Sequence, residues 1–108
     1  MIGAVCHGQA GLVNLVLSDG GYLVSGKRLT SFTNAEEAHA GMSDVVPFSL
    51  QDRLTERGAR FTGMAQFTDH AISDGRLVTG QNPASAASTA SQVVQALASV
   101  PRPRPDRD

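Results

Sequence analysis

The chain has 108 residues, 41% of them apolar, with one cysteine and a net charge of −1. That is room for one small domain with a modest core, and a charge so close to zero, with no long basic patch, argues against nucleic acid or an anionic membrane surface as a partner. No apolar run approaches the roughly 20 residues of a membrane-spanning helix, and Met1-Ile2-Gly3 has neither the basic nor the apolar region of a secretory leader.

A lone cysteine closes no internal disulfide and fits a reducing compartment, so a cytoplasmic protein is expected. The opening stretch, Ile2 to Val5 followed by Cys6-His7-Gly8, reads as a strand that ends in a nucleophile elbow. Gly3, Ala4 and Gly8 are small enough for a sharp, strained turn. A thiol at the start of the following helix sits near unpaired N–H groups, which predicts a thiolate. Such a strand normally lies inside a parallel sheet, yet almost nothing precedes it here.

Leu12, Val13 and Val16 give Gln9 to Leu17 a short helical stripe that stops at Ser18-Asp19-Gly20-Gly21. Tyr22 to Val24 and Arg28 to Phe32 read as extended, around a Ser25-Gly26-Lys27 turn. Asn34 is placed to cap a helical turn at Ala35-Glu36-Glu37, and Pro47 to open a helix over Phe48 to Arg57 that Gly58 stops. Ala59 to Phe61 reads as extended. Asp74-Gly75 predicts a hairpin between Phe67 to Ser73 and Leu77 to Thr79. Asn82-Pro83 starts a last helix, on which Ala86, Ala90, Val93, Val94 and Leu97 form the expected packing face. Pro101 to Asp108 lacks an apolar anchor and is expected to be a disordered Pro/Arg tail.

Four blocks in this order carry a specific resemblance: Ala4 to Gly8, Gly26 to Glu37, Val45 to Asp52 and Asp74 to Ser85. Together they resemble the ThiJ/PfpI superfamily, of the class I glutamine amidotransferase-like kind, and within it the heat-shock chaperone and glyoxalase branch. The likeness covers roughly residues 1–98, but only the C-terminal half of a family member. Its implied fold is a flavodoxin-like α/β three-layer sandwich, with residues 1–100 as the C-terminal part and the N-terminal half absent. That half would supply the first strands and a further glutamate close to the nucleophile.

Residue by residue, the resemblance implies that Cys6 is the nucleophile, His7 the general acid and base, and Glu37 the acid that orients His7. Glu36 is the fallback if the alignment slips by one. Without the family pattern, Cys6 would read as a small buried thiol, and the two glutamates as solvated acids in a helix's first turn. Gln9 stands where many relatives carry proline, which implies an effect on specificity or rigidity.

The activity implied is a cofactor-independent glyoxalase, a D-lactate dehydratase that converts methylglyoxal to D-lactate without glutathione. An aldehyde is then the small-molecule partner, and neither a cofactor nor a metal is called for. Cys6, His7, His39 and His70 lack the paired spacing of a zinc site. Gly80-Gln81-Asn82-Pro83 lacks the pattern of a phosphate cradle and reads as a strand-to-helix turn. Two other readings stay open. The same Cys-His pair suits an amidase or peptidase-like hydrolase, and the branch also contains holding chaperones that bind unfolded protein clients. Family members often form homodimers, which leaves a homodimer of this chain open, and a half-domain of this kind is expected to be weakly active or inactive by itself.

Overall fold

The computed structural model describes residues 1–99, so the Pro/Arg tail lies outside the described residues. Strand β1 (Ile2–Val5) leads into a 3-10 turn at Gly8–Leu12. Then follow β2 (Arg28–Leu29), α1 (Asn34–His39), α2 (Leu50–Glu56), β3 (Arg60–Phe61), β4 (Ala71–Asp74), β5 (Leu77–Gly80) and α3 (Ala86–Ser99), the last entered through a 3-10 turn at Pro83–Ser85. The principal sheet has the order β1-β5-β4, with β1 parallel and β4 antiparallel to β5, and β2 pairs in parallel with β3. Among the described residues β1 is therefore an edge strand, and the central place belongs to β5, whose four residues are all buried.

The β4–β5 hairpin forms at the predicted turn. Asp74 pairs with Leu77 across a two-residue loop, and Gly75 takes the positive φ of +61° that such a loop requires. Phe67 to His70 lies outside the hairpin, in the loop that precedes β4. One side of the sheet meets the core of Leu12, Val13, Val24, Leu29, Leu50, Leu54, Ala59 and Leu77. Helix α3 covers β1, β4 and β5. It approaches so closely at Gly3 that a Cβ there would stand 2.9 Å from Val93 Cγ2.

Several local expectations shift. The stripe after Cys6 yields five residues of 3-10 turn, because Gly11 and the Ser18 to Gly21 cluster leave too few good helix formers to propagate an α-helix. Tyr22 contributes only an isolated bridge to Val16, and the strand expected over Arg28 to Phe32 is two residues long. Thr33, one residue before Asn34, caps α1 in a reciprocal capping box with Glu36. Ser49 caps α2 by accepting from the Asp52 N–H, so Pro47 belongs to the approach and not to the first turn.

Helix α3 differs most. Thr89 is its buried residue, while Ala86, Ala90, Val94 and Leu97 are exposed. The expected apolar face is present, but only its Val93 margin reaches the sheet. The rest, with Gly3, Ala4, Val5 and Gly8 of the β1 edge, lines an open groove of about 750 Å³. This surface finds no cover within the described residues.

Candidate functional site

Cys6 follows the last residue of β1 and adopts φ +64°, a left-handed conformation costly for a residue with a Cβ. Two hydrogen bonds hold it there: its N–H donates to Gly80 O at 3.0 Å and its carbonyl accepts from Phe32 N–H at 2.9 Å. Beneath the elbow lies Gln9, with no exposed surface. Its amide donates to Thr30 O at 2.8 Å, Gly80 O at 2.9 Å and Ala4 O at 3.4 Å, tying β1, the end of β2 and β5 together. Gln9 is thus a strut under the turn. It does not line the two pockets beside Glu37, so of the expected effects on specificity or rigidity its place fits rigidity.

His7 stands between the thiol and an acid. Cys6 Sγ lies 3.5 Å from His7 Nδ1, and His7 Nε2 lies 2.8 Å from Glu37 Oε1. The His7 side chain is 42% exposed and that of Glu37 only 5%. Because an ionised carboxylate only accepts, Nε2 carries the proton in the neutral ring, which leaves the Nδ1 lone pair facing the thiol. Phe32 backs the imidazole at a centroid distance of 4.5 Å. Glu37 Oε2 is buried with no hydrogen-bond partner among the described residues. With one oxygen unpaired, this carboxylate favours any rise of positive charge on His7.

The electrostatics run against the expectation of a resting thiolate. Burial pushes the Cys6 thiol above its ordinary range; the His7 backbone N–H draws it back in part, and the charges of Glu36 and Glu37 push it up again. A five-residue 3-10 turn supplies too small a dipole to oppose these effects. Cys6 therefore keeps its proton further up the pH scale than an ordinary cysteine, with His7 Nδ1 placed 3.5 Å from its sulfur.

The structure brings Cys6, His7 and Glu37 into one line and turns Glu36 away from it. Glu36 has no exposed surface, and its carboxylate accepts from Thr33, Gln81, Asn82 and Phe67. Asn82, read as a helix cap, directs its side-chain amide to Glu36 instead. His39 packs near the Phe67 ring at 5.6 Å, and His70 Nε2 lies 3.0 Å from Thr62 Oγ1. Sequence reasoning missed the scaffolding roles of Gln9, Gln81 and Asn82. Their sole signal was the presence of long amides beside a strand end, where buried carbonyls need donors.

Beside His7 lies a small, mainly apolar pocket of about 260 Å³, lined in part by Glu37, Met42, Val46 and Phe48. No helix among the described residues is long and apolar enough to cross a membrane.

No family model matches the chain. It is 37% identical over 103 residues to the glutathione-independent glyoxalase HSP31 of Saccharomyces cerevisiae, a match that covers 90% of this chain and 44% of that protein. Among solved structures, the Rapid Encystment Protein 24 KDa of Francisella tularensis superposes with a TM-score of 0.87 at 41% identity, over 90% of this chain and 43% of that one. Glyoxalase III of Candida albicans does so with a TM-score of 0.80 at 33% identity, over 86% and 42%. The chain thus spans less than half the length of the relatives it matches.

Proposed function

Because the chain belongs to the ThiJ/PfpI superfamily, with glyoxalases among its relatives, we propose that Cys6, His7 and Glu37 convert methylglyoxal to D-lactate without a cofactor. One observation carries the reading: a thiol, an imidazole and a buried carboxylate in hydrogen-bonded sequence, with the free imidazole nitrogen on the thiol. That order suits a nucleophile that is protonated at rest and activated only when a substrate arrives.

In the proposed cycle His7 Nδ1 takes the Sγ proton as sulfur bonds to the aldehyde carbon, and the new alkoxide takes that proton back to give a hemithioacetal. His7 then removes the C–H proton from the same carbon while the neighbouring ketone oxygen is protonated, forming an enediol. As the second carbon gains a proton, the hydroxyl on the first carbon gives up its own and becomes the carbonyl of a lactate thioester. The first carbon has been oxidised and the second reduced, so no outside oxidant or reductant is consumed. Water cleaves the thioester, releases lactate and restores the Sγ–H. Throughout, Glu37 stabilises the imidazolium that His7 becomes each time it holds a proton.

Intact-mass analysis of protein quenched during incubation with methylglyoxal tests this sequence. A hydroxylamine-sensitive adduct on Cys6, absent from Cys6→Ser, is expected; an adduct that survives the substitution would overturn it.

The uncovered α3 groove favours a second reading, in which the protein holds unfolded clients on apolar surface independently of Cys6. Cys6→Ser should then suppress client aggregation as well as the unsubstituted protein does. Loss of suppression in that variant would count against it.

A further inference from the structure

We propose that Glu36 is a positioning residue for the Cys6–His7 pair: its buried carboxylate clamps the 62–70 loop and the turn after β5 onto the start of α1. The clamp fixes both the aromatic wall behind His7 and the adjacent Glu37. The proposal rests on the site reading given above, and its test is independent of turnover.

A carboxylate without exposed surface is costly unless other groups compensate its charge. No cation pairs with Glu36 among the described residues; neutral donors do the work. Oε1 accepts from Thr33 N–H at 3.0 Å, Thr33 Oγ1 at 3.1 Å and Gln81 Nε2 at 3.0 Å. Oε2 accepts from Phe67 N–H and Asn82 Nδ2, both at 2.8 Å. These donors come from three segments of the chain, and two of them hold the loop again. The Gln81 side chain accepts from Met64 N–H at 2.8 Å and donates to Met64 O at 3.1 Å, while Asn82 Nδ2 also donates to Thr68 O at 2.8 Å.

What the clamp positions is the wall of the site. Phe67 adopts φ +54°, which an aromatic residue keeps only when its surroundings hold it there. Its N–H is the group on Glu36, and its ring meets Phe32 edge-on at 5.6 Å. Phe32 in turn lies against His7. On the other side, the Thr33–Glu36 capping box sets the first turn of α1, from which Glu37 reaches His7.

The titratable groups facing Cys6 are His7 from the elbow and Glu36 and Glu37 from α1; the turn after β5 brings the neutral Gln81 and Asn82 to the clamp. A group that merely braced the fold would leave the ionisation of Cys6 alone, whereas the anion at position 36 opposes the thiolate.

The pH dependence of Cys6 alkylation by iodoacetamide, measured on the full chain, tests the proposal together with hydrogen exchange at the Phe67 amide. Glu36→Gln is expected to lower the alkylation midpoint by roughly half a pH unit and to speed Phe67 exchange at least about tenfold. Glu36→Asp, which keeps the charge but loosens the clamp, should retain the wild-type midpoint while losing protection at Phe67 and changing the limiting alkylation rate. An unshifted midpoint in Glu36→Gln, or an equal shift in Glu36→Asp, overturns the proposal. Should Glu36→Gln fail to fold, Asn82→Ala decides: it withdraws one donor and keeps the charge. Faster Phe67 exchange with a changed limiting alkylation rate is then expected, and wild-type values for both overturn it.

Discussion

His7 Nε2 and Glu37 Oε1, thirty residues apart in the chain, stand 2.8 Å from one another, and the other imidazole nitrogen faces Cys6. This contact joins the elbow after β1 to the first helix and fixes which nitrogen of the ring can take a proton from sulfur. Its dependence on Glu37 makes the carboxylate the most informative position to neutralise.

Glu37→Gln should lower kcat for lactate formation by about 10²–10⁴-fold, the usual range for disabling general acid–base catalysis. The fold should stay intact, because only one oxygen of Glu37 has a partner to lose. Steady-state kinetics alongside a melting curve checks both halves of this expectation.

Alkylation of wild-type Cys6 should be slow at pH 7 and keep rising beyond the ordinary thiol value of roughly 8.5, since burial and two carboxylates hold the proton on sulfur. The linkage has a definite sign. A thiol raised in the folded state contributes stability that is complete below the unfolded-state value and is lost as pH climbs through the folded one. Cys6→Ser should lack that alkaline decline, as urea titrations across the range would show.

Glu36 has the opposite dependence. Burial pushes its carboxyl up, but the N–H groups of Phe67 and Thr33 and the amides of Asn82 and Gln81 together hold it below the usual range. Its contribution is present above the unfolded-state value of roughly 4.3 and is lost as pH falls through the folded one. Glu36→Gln should flatten this acid limb of the stability profile.

Gln9→Leu should cost about 1–3 kcal/mol, the penalty for leaving a buried acceptor unpaired. Thr30 O loses the short bond from the amide, whereas Gly80 O keeps its bond from Cys6 N–H. Urea denaturation measures the loss, and a variant as stable as the wild type would show that Gln9 is no strut.

The local devices were legible in the chain because each depends on near neighbours: the small residues around Cys6, the Asp74-Gly75 turn, the stop at Gly58. The choice between Glu36 and Glu37 was not local. Both lie in the first turn of one helix, and what separates them is that His7 waits on one side and Gln81, Asn82 and Phe67 on the other. Family resemblance supplied Glu37; the packing supplied the reason. Helix α3 shows the converse, since its apolar periodicity was plain while its exposed Val94 and Leu97 depend on what the sheet leaves uncovered.

Val94→Asp addresses that groove. Val94 is 67% exposed, so the change should leave the melting temperature near the wild-type value while it weakens binding of an apolar dye. Unchanged dye binding would place the sticky surface elsewhere.

Stereospecific assay of lactate from methylglyoxal, with no glutathione present, in the wild type, Cys6→Ser and His7→Ala tests the account most directly. D-lactate from the wild type and none from either variant is the predicted result. As much D-lactate from Cys6→Ser as from the active wild-type protein would contradict it.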